Sequence, residues 1–242
     1  MRTTRLLEEQ VPLMNSLASH EIGHSKINTK QLLRTHGIPV LDDVVVTSVE
    51  DFHEHIQEDL WYVIKPVDKG AGAGVKLIRK EDNNLFCYRD GKWGPITAVT
   101  KKANTVMIKQ GLCIFSSYIY SPMLIEPYFN DAGDGFASLR CTVIGNEVVE
   151  TVRRVNHSNI TSNVSSGGTA RKAELNDEQK EMVLATARAI GVDYAGIDLL
   201  VCGGKSVIGE VNIGPFTVFS KYTHAPAGKI LAEYAMNKCD RI

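Results

Sequence analysis

The sequence predicts an α+β fold, built from antiparallel hairpins with separate amphipathic helices. Three observations carry this. AGIDLLV and SVIGEVN flank Cys202-Gly203-Gly204-Lys205, and Gly-Gly supplies the positive φ of a tight hairpin turn. Residues 137–144 and 147–155 form a second strand pair, joined by Gly145-Asn146. From residue 61 to 155 the segments read as strands and loops, with no amphipathic helix between them.

The 242 residues are 43% hydrophobic and 23% charged, enough for one large domain or two small lobes with a real core. The net charge of −1 argues against a bulk nucleic-acid or membrane surface, so neither partner is expected. No apolar run approaches the roughly 20 residues needed to span a bilayer. MRTTRLLEEQVPLMN lacks the apolar core and cleavage site of a signal peptide. The five cysteines lie far apart with no CxxC spacing. They read as the reduced thiols of a cytoplasmic protein, with neither a zinc site nor a disulfide framework.

Along the chain, residues 1–24 form a lead-in. Ser25 caps a helix, SKINTKQLLRTHG, that Gly37 stops. A strand at 44–47 and a helix over 48–58 follow, the helix with Val49, Phe52 and Ile56 at helical spacing. The apolar strand 61–66 carries Lys65 and runs into VDKGAGAGVKLI, a glycine-rich loop followed by a strand. The loop lacks the GK[ST] of a Walker loop, and a strand instead of a helix follows it, which excludes the Rossmann fingerprint. Such a loop is either a plain hairpin or a flap whose backbone N–H groups cover a phosphate. Residues 79–121 show a polar turn, a short strand, a turn at Asp90-Gly91 and then no clean period, and no function is assigned to them. A strand at 123–129 is interrupted by Pro127, which marks a sheet edge or a connector between lobes. The polar loop 156–169 is too long to be idle. Asn176 caps a helix over 175–191, with Met182, Ala185, Ala189 and Ile190 inward, and a final helix spans 226–238 with Ile230, Leu231, Tyr234 and Ala235 as its stripe.

Two constellations carry chemistry. Folding the C-terminal hairpin about Gly203-Gly204 places Asp198 opposite Glu210 or one residue off, with Asn212 on the face of Glu210. Two ionised carboxylates in an apolar setting call for a cation between them, and three oxygen ligands suit Mg²⁺ carrying phosphates. The plainer alternative is a surface hairpin with solvated acids. Separately, His20-Glu21-Ile22-Gly23-His24 matches HExxH, which on a helix would place two zinc ligands beside a general base. Ile27 and Lys30 stand where the extended motif needs Gly and His, and Gly23 weakens the helix by about 1 kcal/mol. A zinc metallopeptidase is therefore the minor reading.

Taken together, Lys65, the glycine loop, RCTVIGNEVVETVRR…SN…GG and AIGVDYAGIDLLV…EVN resemble, in order, the ATP-grasp superfamily. The resemblance is strongest to its glutamate-ligase branch and runs from about residue 15 to the C-terminus. It implies a nucleotide held between antiparallel sheets, with an N-terminal lobe over 25–125 and a C-terminal lobe over 126–242. It further implies that Lys26, Lys65 and the flap glycines Gly70, Gly72 and Gly74 meet the nucleotide. Glu126, Pro127, Tyr128 and Phe129 would hold adenine, and Asn163, Gly167 and Gly168 would lie beside the triphosphate. Arg140 and Arg153 or Arg154 would serve the phosphates and the substrate carboxylate, and Asp198, Glu210 and Asn212 would bind Mg²⁺ or Mn²⁺.

The chain departs from the pattern at several positions. Ser138 stands where an acid commonly binds ribose, with Asp134 available to compensate. Thr161 replaces a common arginine and Phe216 a common glycine. Residues 1–24 do not supply the small domain that precedes the lysine helix in relatives, so either the chain is naturally short, or a second copy of the chain or a partner completes the site. The implied activity is ATP-dependent ligation of a small-molecule or peptide carboxylate to an amine through an acyl phosphate. A kinase and a non-catalytic nucleotide-binding module are the alternatives.

Overall fold

The computed structural model describes residues 11, 13–47, 51, 54–67, 74–82, 84–89, 92–95, 99–102, 105–108, 122–131 and 135–240. Helices α1 (Leu17–Gly23) and α2 (Lys26–Thr35) precede strands β1 (Val44–Val46), β2 (Trp61–Pro66), β3 (Lys76–Glu81), β4 (Asn84–Arg89), β5 (Lys92–Pro95), β6 (Val99–Lys102), β7 (Thr105–Ile108) and β8 (Met123–Pro127). Strands β9 (Phe136–Ile144), β10 (Glu147–Asn156) and β11 (Thr169–Lys172), helix α3 (Asp177–Ile190), strands β12 (Tyr194–Cys202) and β13 (Lys205–Ile213), and helices α4 (Ser220–Thr223) and α5 (Ala227–Cys239) complete the order. Two compact units result. One lies within Met1–Val40, Ser138–Arg154 and Ala170–Ile242, the other within Leu41–Ala137 and Val155–Thr169. The chain therefore passes between units several times, whereas the sequence reading divides it once, at 125/126.

The first unit is built on a five-stranded sheet of order β11-β10-β9-β12-β13, in which β12 pairs antiparallel with β9 and β13. Its core joins Cys141, Val143, Ile197, Leu199 and Val211 of the sheet to Leu33 of α2 and Met182, Val183, Ala187 and Ile190 of α3. Each such buried aliphatic side chain contributes about 1.5–3 kcal/mol. The expected inward stripe of α3 is thus turned slightly: Val183 and Ala187 are buried, while Ala185 and Ala189 lie half-buried at its margin. The helix begins with a capping box, Asn176 Oδ1 accepting from Gln179 N at 2.8 Å and Gln179 Oε1 from Asn176 N at 3.1 Å. The lead-in is docked onto this unit. Asn15 is buried, donates to Tyr194 O at 2.7 Å and accepts from the N–H groups of Asp193 and Tyr194.

The second unit carries a six-stranded sheet of order β1-β8-β2-β3-β4-β5. Its core gathers Val46, Tyr62, Ile64, Ile78, Leu85 and Ile125. The short strand read after the polar turn is β4, whose buried Leu85 and Cys87 alternate with half-buried Phe86 and Tyr88, and β5 extends the meander beyond it. One expectation changes here. Pro127 does not mark an edge strand, since β8 lies inside the sheet. It is tolerated as the last residue of β8, beyond the β1 ladder, which pairs only Met123 to Ile125. Of the helix expected over 48–58, residues 48–50, 52 and 53 lie outside the described residues; Asp51, Glu54 and His55 are helical, and Glu58 instead bridges to Lys80, so the helix is shorter than expected at its end.

Candidate functional site

The hairpin β12–β13 turns through Gly203 and Gly204, with φ of 56° and 75°, and Cys202 opposes Lys205. A regular ladder from that turn would set Asp198 against Gly209 and leave Glu210 opposite Ile197, on the core face. Instead a bulge at Gly209 shifts the register, so Leu199 pairs with Ile208 and Asp198 pairs with Glu210. Asn212 lies opposite Gly196 and shares the face of Glu210. On the other side of β12, Arg140 is the partner of Asp198. Alternation then puts Ser138, Arg140, Asp198, Glu210 and Asn212 on one face of the sheet, with Cys141, Ile197 and Val211 on the other, in the core.

The centre of the polar face is an ion-paired cluster. Arg140 grips Asp198 with two N–H groups, Nε to Oδ1 and Nη2 to Oδ2 at 2.9 Å. Arg154 Nη2 approaches Asp198 Oδ2 to 2.8 Å and also donates to Ser138 Oγ at 2.8 Å. Burial alone would raise the Asp198 pKa, but the two guanidinium groups hold it below the ordinary carboxylate value. Burial opposes the Arg140 cation too, and Asp198 more than offsets this, so its pKa is raised. The argument that two acids here require a bound cation is thereby corrected, because Arg140 and Arg154 already supply positive charge. Arg153, next to Arg154, faces the other side of β10 by strand alternation. On that core side, burial pushes the Cys141 thiol up to about 12, far from a nucleophile.

The same face also fits a hard cation. Asp198, Glu210 and Asn212 present oxygen donors, and Asn212 Nδ2 is buried without a hydrogen-bond partner among the described residues. A carboxamide with one unmet end suits a position completed by a bound group, and its oxygen and nitrogen exchange by a half-turn. Among the described residues no group of three or more His, Cys, Asp and Glu could hold a metal ion, so a cation here would use the amide or waters beside two carboxylates. The same holds at HExxH. His20 sits in α1 but His24 is its C-cap, and their rings stack with centroids 5.7 Å apart.

Apart from Lys26, which opens α2 in the first unit, the other expected residues belong to the second unit. Lys65 on β2 pairs with the buried Glu126 of β8 at 2.8 Å. Tyr128 donates its N–H to Trp61 O at 2.8 Å, and its ring lies between those of Trp61 and Phe136, with Tyr88 beyond Phe136. Gly74 has φ of 75°, whereas Gly70, Gly72 and Asp134 lie outside the described residues. Asn163 precedes a short 3₁₀ turn, Val164–Ser166, and its carbonyl accepts from Ser166 N and Gly168 N. Gly168 is required there, since a Cβ would stand 2.7 Å from Ser162 O. Sequence reasoning passed over Asn156, whose buried side chain organises this loop by accepting from Ser158 N and Asn159 N and donating to Ser166 O. An Asn followed by His-Ser-Asn is an Asx-turn signal. It also passed over Lys30, buried one turn after Lys26 on α2.

Residues 97–234, more than half of the chain, match the RimK-like ATP-grasp domain. The chain belongs to this family. It is 25% identical to a tetrahydromethanopterin:alpha-L-glutamate ligase of Methanocaldococcus jannaschii over 87% of its own length and 65% of the relative's. It is 30% identical to the ribosomal protein bS6–L-glutamate ligase of Escherichia coli over 84% of its length and 60% of that enzyme's. The D-alanine–D-alanine ligase of Bacillus anthracis complexed with ATP superposes on 98% of the chain, covering 73% of that structure, with a TM-score of 0.63 at 18% identity. That likeness establishes the ATP-grasp fold. The chain spans less than two thirds of the length of most of these curated relatives.

Proposed function

We propose that the chain is an ATP-dependent carboxylate–amine ligase that joins an amino acid to a peptide or protein carboxylate. The observation that carries this reading is the shared face of β9, β10, β12 and β13, where Asp198, Glu210 and Asn212 meet Arg140 and Arg154. Family membership supports it, as do relatives named for glutamate ligation, one of them onto a ribosomal protein.

In this reading Asp198, Glu210 and Asn212 hold Mg²⁺ or Mn²⁺, which when bound neutralises charge on the nucleotide's phosphates. Lys26, Lys65 and the flap glycines bind phosphates, and Glu126 to Phe129 receive adenine, where the Trp61 and Tyr128 rings offer a stacking surface. Arg140 orients the substrate carboxylate and Arg154 stabilises charge as it develops. A carboxylate oxygen attacks the γ-phosphorus as the bond to ADP breaks. The amine then attacks the acyl carbon, phosphate leaves and the nitrogen loses a proton. Positioning and charge stabilisation do the work, and no covalent nucleophile of the protein is needed.

The test is ADP release with ATP, Mg²⁺, mixed amino acids and a panel of peptide carboxylates, with hydroxylamine added to trap the acyl phosphate as a hydroxamate. Glu210→Ala is expected to abolish Mg²⁺-dependent ADP formation while the circular-dichroism spectrum stays unchanged. ADP release without hydroxamate or amide product would instead favour a kinase, and nucleotide binding without turnover a non-catalytic module.

A further inference from the structure

The segment that leaves β13 has a construction the reaction scheme does not use. Pro215 lies over Gly196 on the polar face. A Cβ at Gly196 would stand 2.8 Å from Arg140 Nη1 and 3.0 Å from Pro215 Cβ, so proline and guanidinium share the space above that glycine. Two clamps fix the segment. Tyr194 Oη donates to Pro215 O at its start. At its end Phe219 is buried and leads into α4, whose Thr223 Oγ1 donates to Glu150 Oε2 at 3.0 Å, with Ser220 Oγ at 3.4 Å. Glu150 is itself buried, and its second oxygen accepts from Thr142 Oγ1 at 3.1 Å. Its donors in this network are hydroxyls from β9 and α4, so this carboxylate ties the helix to the sheet.

Between the clamps the chain turns two large apolar side chains outward, Phe216 at 84% exposure and Val218 at 54%. Single exposed hydrophobics are ordinary. Two of them on a short stretch held at both ends, beginning beside a proline that packs on the same glycine as the ion-paired Arg140, are a built feature.

We infer that Phe216 and Val218 receive an apolar side chain of the carboxylate substrate, and that Glu150 and Tyr194 are positioning residues that hold this arm beside Arg140. The inference rests on the ligase reading for the identity of the bound molecule and deepens it. The favoured acceptor is a peptide whose terminal carboxylate belongs to an apolar residue, with the carboxylate toward Arg140 and the side chain against Phe216.

The test uses equilibrium binding, so it does not depend on turnover. Peptides identical except for a C-terminal Leu, Phe, Gly or Glu are titrated by calorimetry into the full chain with Mg²⁺ and ADP present. The Leu and Phe peptides are expected to bind about tenfold or more tighter than the Gly peptide, the value of burying one such side chain. In Phe216→Gly that preference should fall to within about threefold, with ADP affinity unchanged. Phe216 is exposed, so this variant folds. Glu150→Ala should weaken the Leu and Phe peptides and spare ADP, and Thr223→Val tests the same tie if Glu150→Ala does not fold. Tighter binding of the Glu peptide, no binding of any peptide, or an unchanged preference in Phe216→Gly overturns the inference. Failure to trap a hydroxamate while the binding preference holds counts against the ligase reading alone.

Discussion

The two sheets solve the burial of charge in different ways. On the five-stranded sheet one carboxylate, Asp198, is shared by two arginines from neighbouring strands, and Ser138 takes a further N–H of Arg154. On the six-stranded sheet the charges form a pair, Lys65 with Glu126, beside a row of aromatic rings. The first arrangement is a hub, in which removing the centre strands two cations away from water. The second is a pair whose lysine keeps partial access to solvent, next to a surface suited to stacking. Paired charge is thus concentrated on one sheet and a row of aromatic rings on the other. The ligase proposed above would use the first for developing charge and the second for a nucleotide base.

The largest expected effect comes from breaking the hub. Asp198→Ala leaves the buried Arg154, and Arg140 with a side chain only 11% exposed, without their shared partner and should cost about 3–5 kcal/mol, read as a lowered urea midpoint. A loss no greater than that of a surface carboxylate would erase the contrast between the sheets. Lys65→Met breaks the other pair and should cost less, about 1–3 kcal/mol, while weakening nucleotide binding measured by calorimetry. If Lys65→Met destabilises more than Asp198→Ala, the ranking is reversed. Gly196→Ala puts a methyl group against Arg140 and Pro215 and should cost about 1–3 kcal/mol, with acceptor KM rising more than ATP KM. Gly209→Ala meets the Leu200 side chain at 3.0 Å and Asp198 O at an ordinary 3.5 Å, and should cost about 1 kcal/mol in a thermal melt.

The hub also sets a pH dependence. The Asp198 pKa is lowered in the folded protein, so the unfolded chain takes up this proton more readily as pH falls. The stabilisation is therefore complete above the ordinary aspartate value of about 3.9 and is lost as pH falls through the lower folded value. The stability gap between the wild type and Asp198→Asn should stay constant from neutral pH to about 5 and close only below about 3.9. A gap that closes near pH 6 would show that some other group carries it.

Much of the fold was legible in local pattern. Ser25 and Asn176 act as the caps their chemistry suggests, and Gly37 and Gly191 take the positive φ expected of helix stops. Gly203-Gly204 makes the two-residue turn, and strands β2, β9, β10 and β12 begin or end within two residues of their apolar runs. Strand β5 was not legible, because so short a run carries meaning only once β4 is beside it. The candidate site was legible as a list of residue types. Its internal pairing was not, because Arg140, Arg154 and Asp198 are far apart in the chain.

By itself the sequence determined the elements, the hairpin turn and the alternation that sorts each strand into two faces. These are short-range properties, set by backbone sterics, capping hydrogen bonds and hydrophobic period. Only the tertiary structure decided which charges meet. Ile208 and Val211 of β13 must both reach the core opposite Leu199 and Ile197, and three residues cannot span what two span without a bulge. Packing therefore places the bulge at Gly209, and the bulge turns Glu210 toward Asp198. Arg140 then meets Asp198 because β9 pairs with β12, and Arg154 reaches it from β10, one strand further on, in a register settled by burial of the whole sheet.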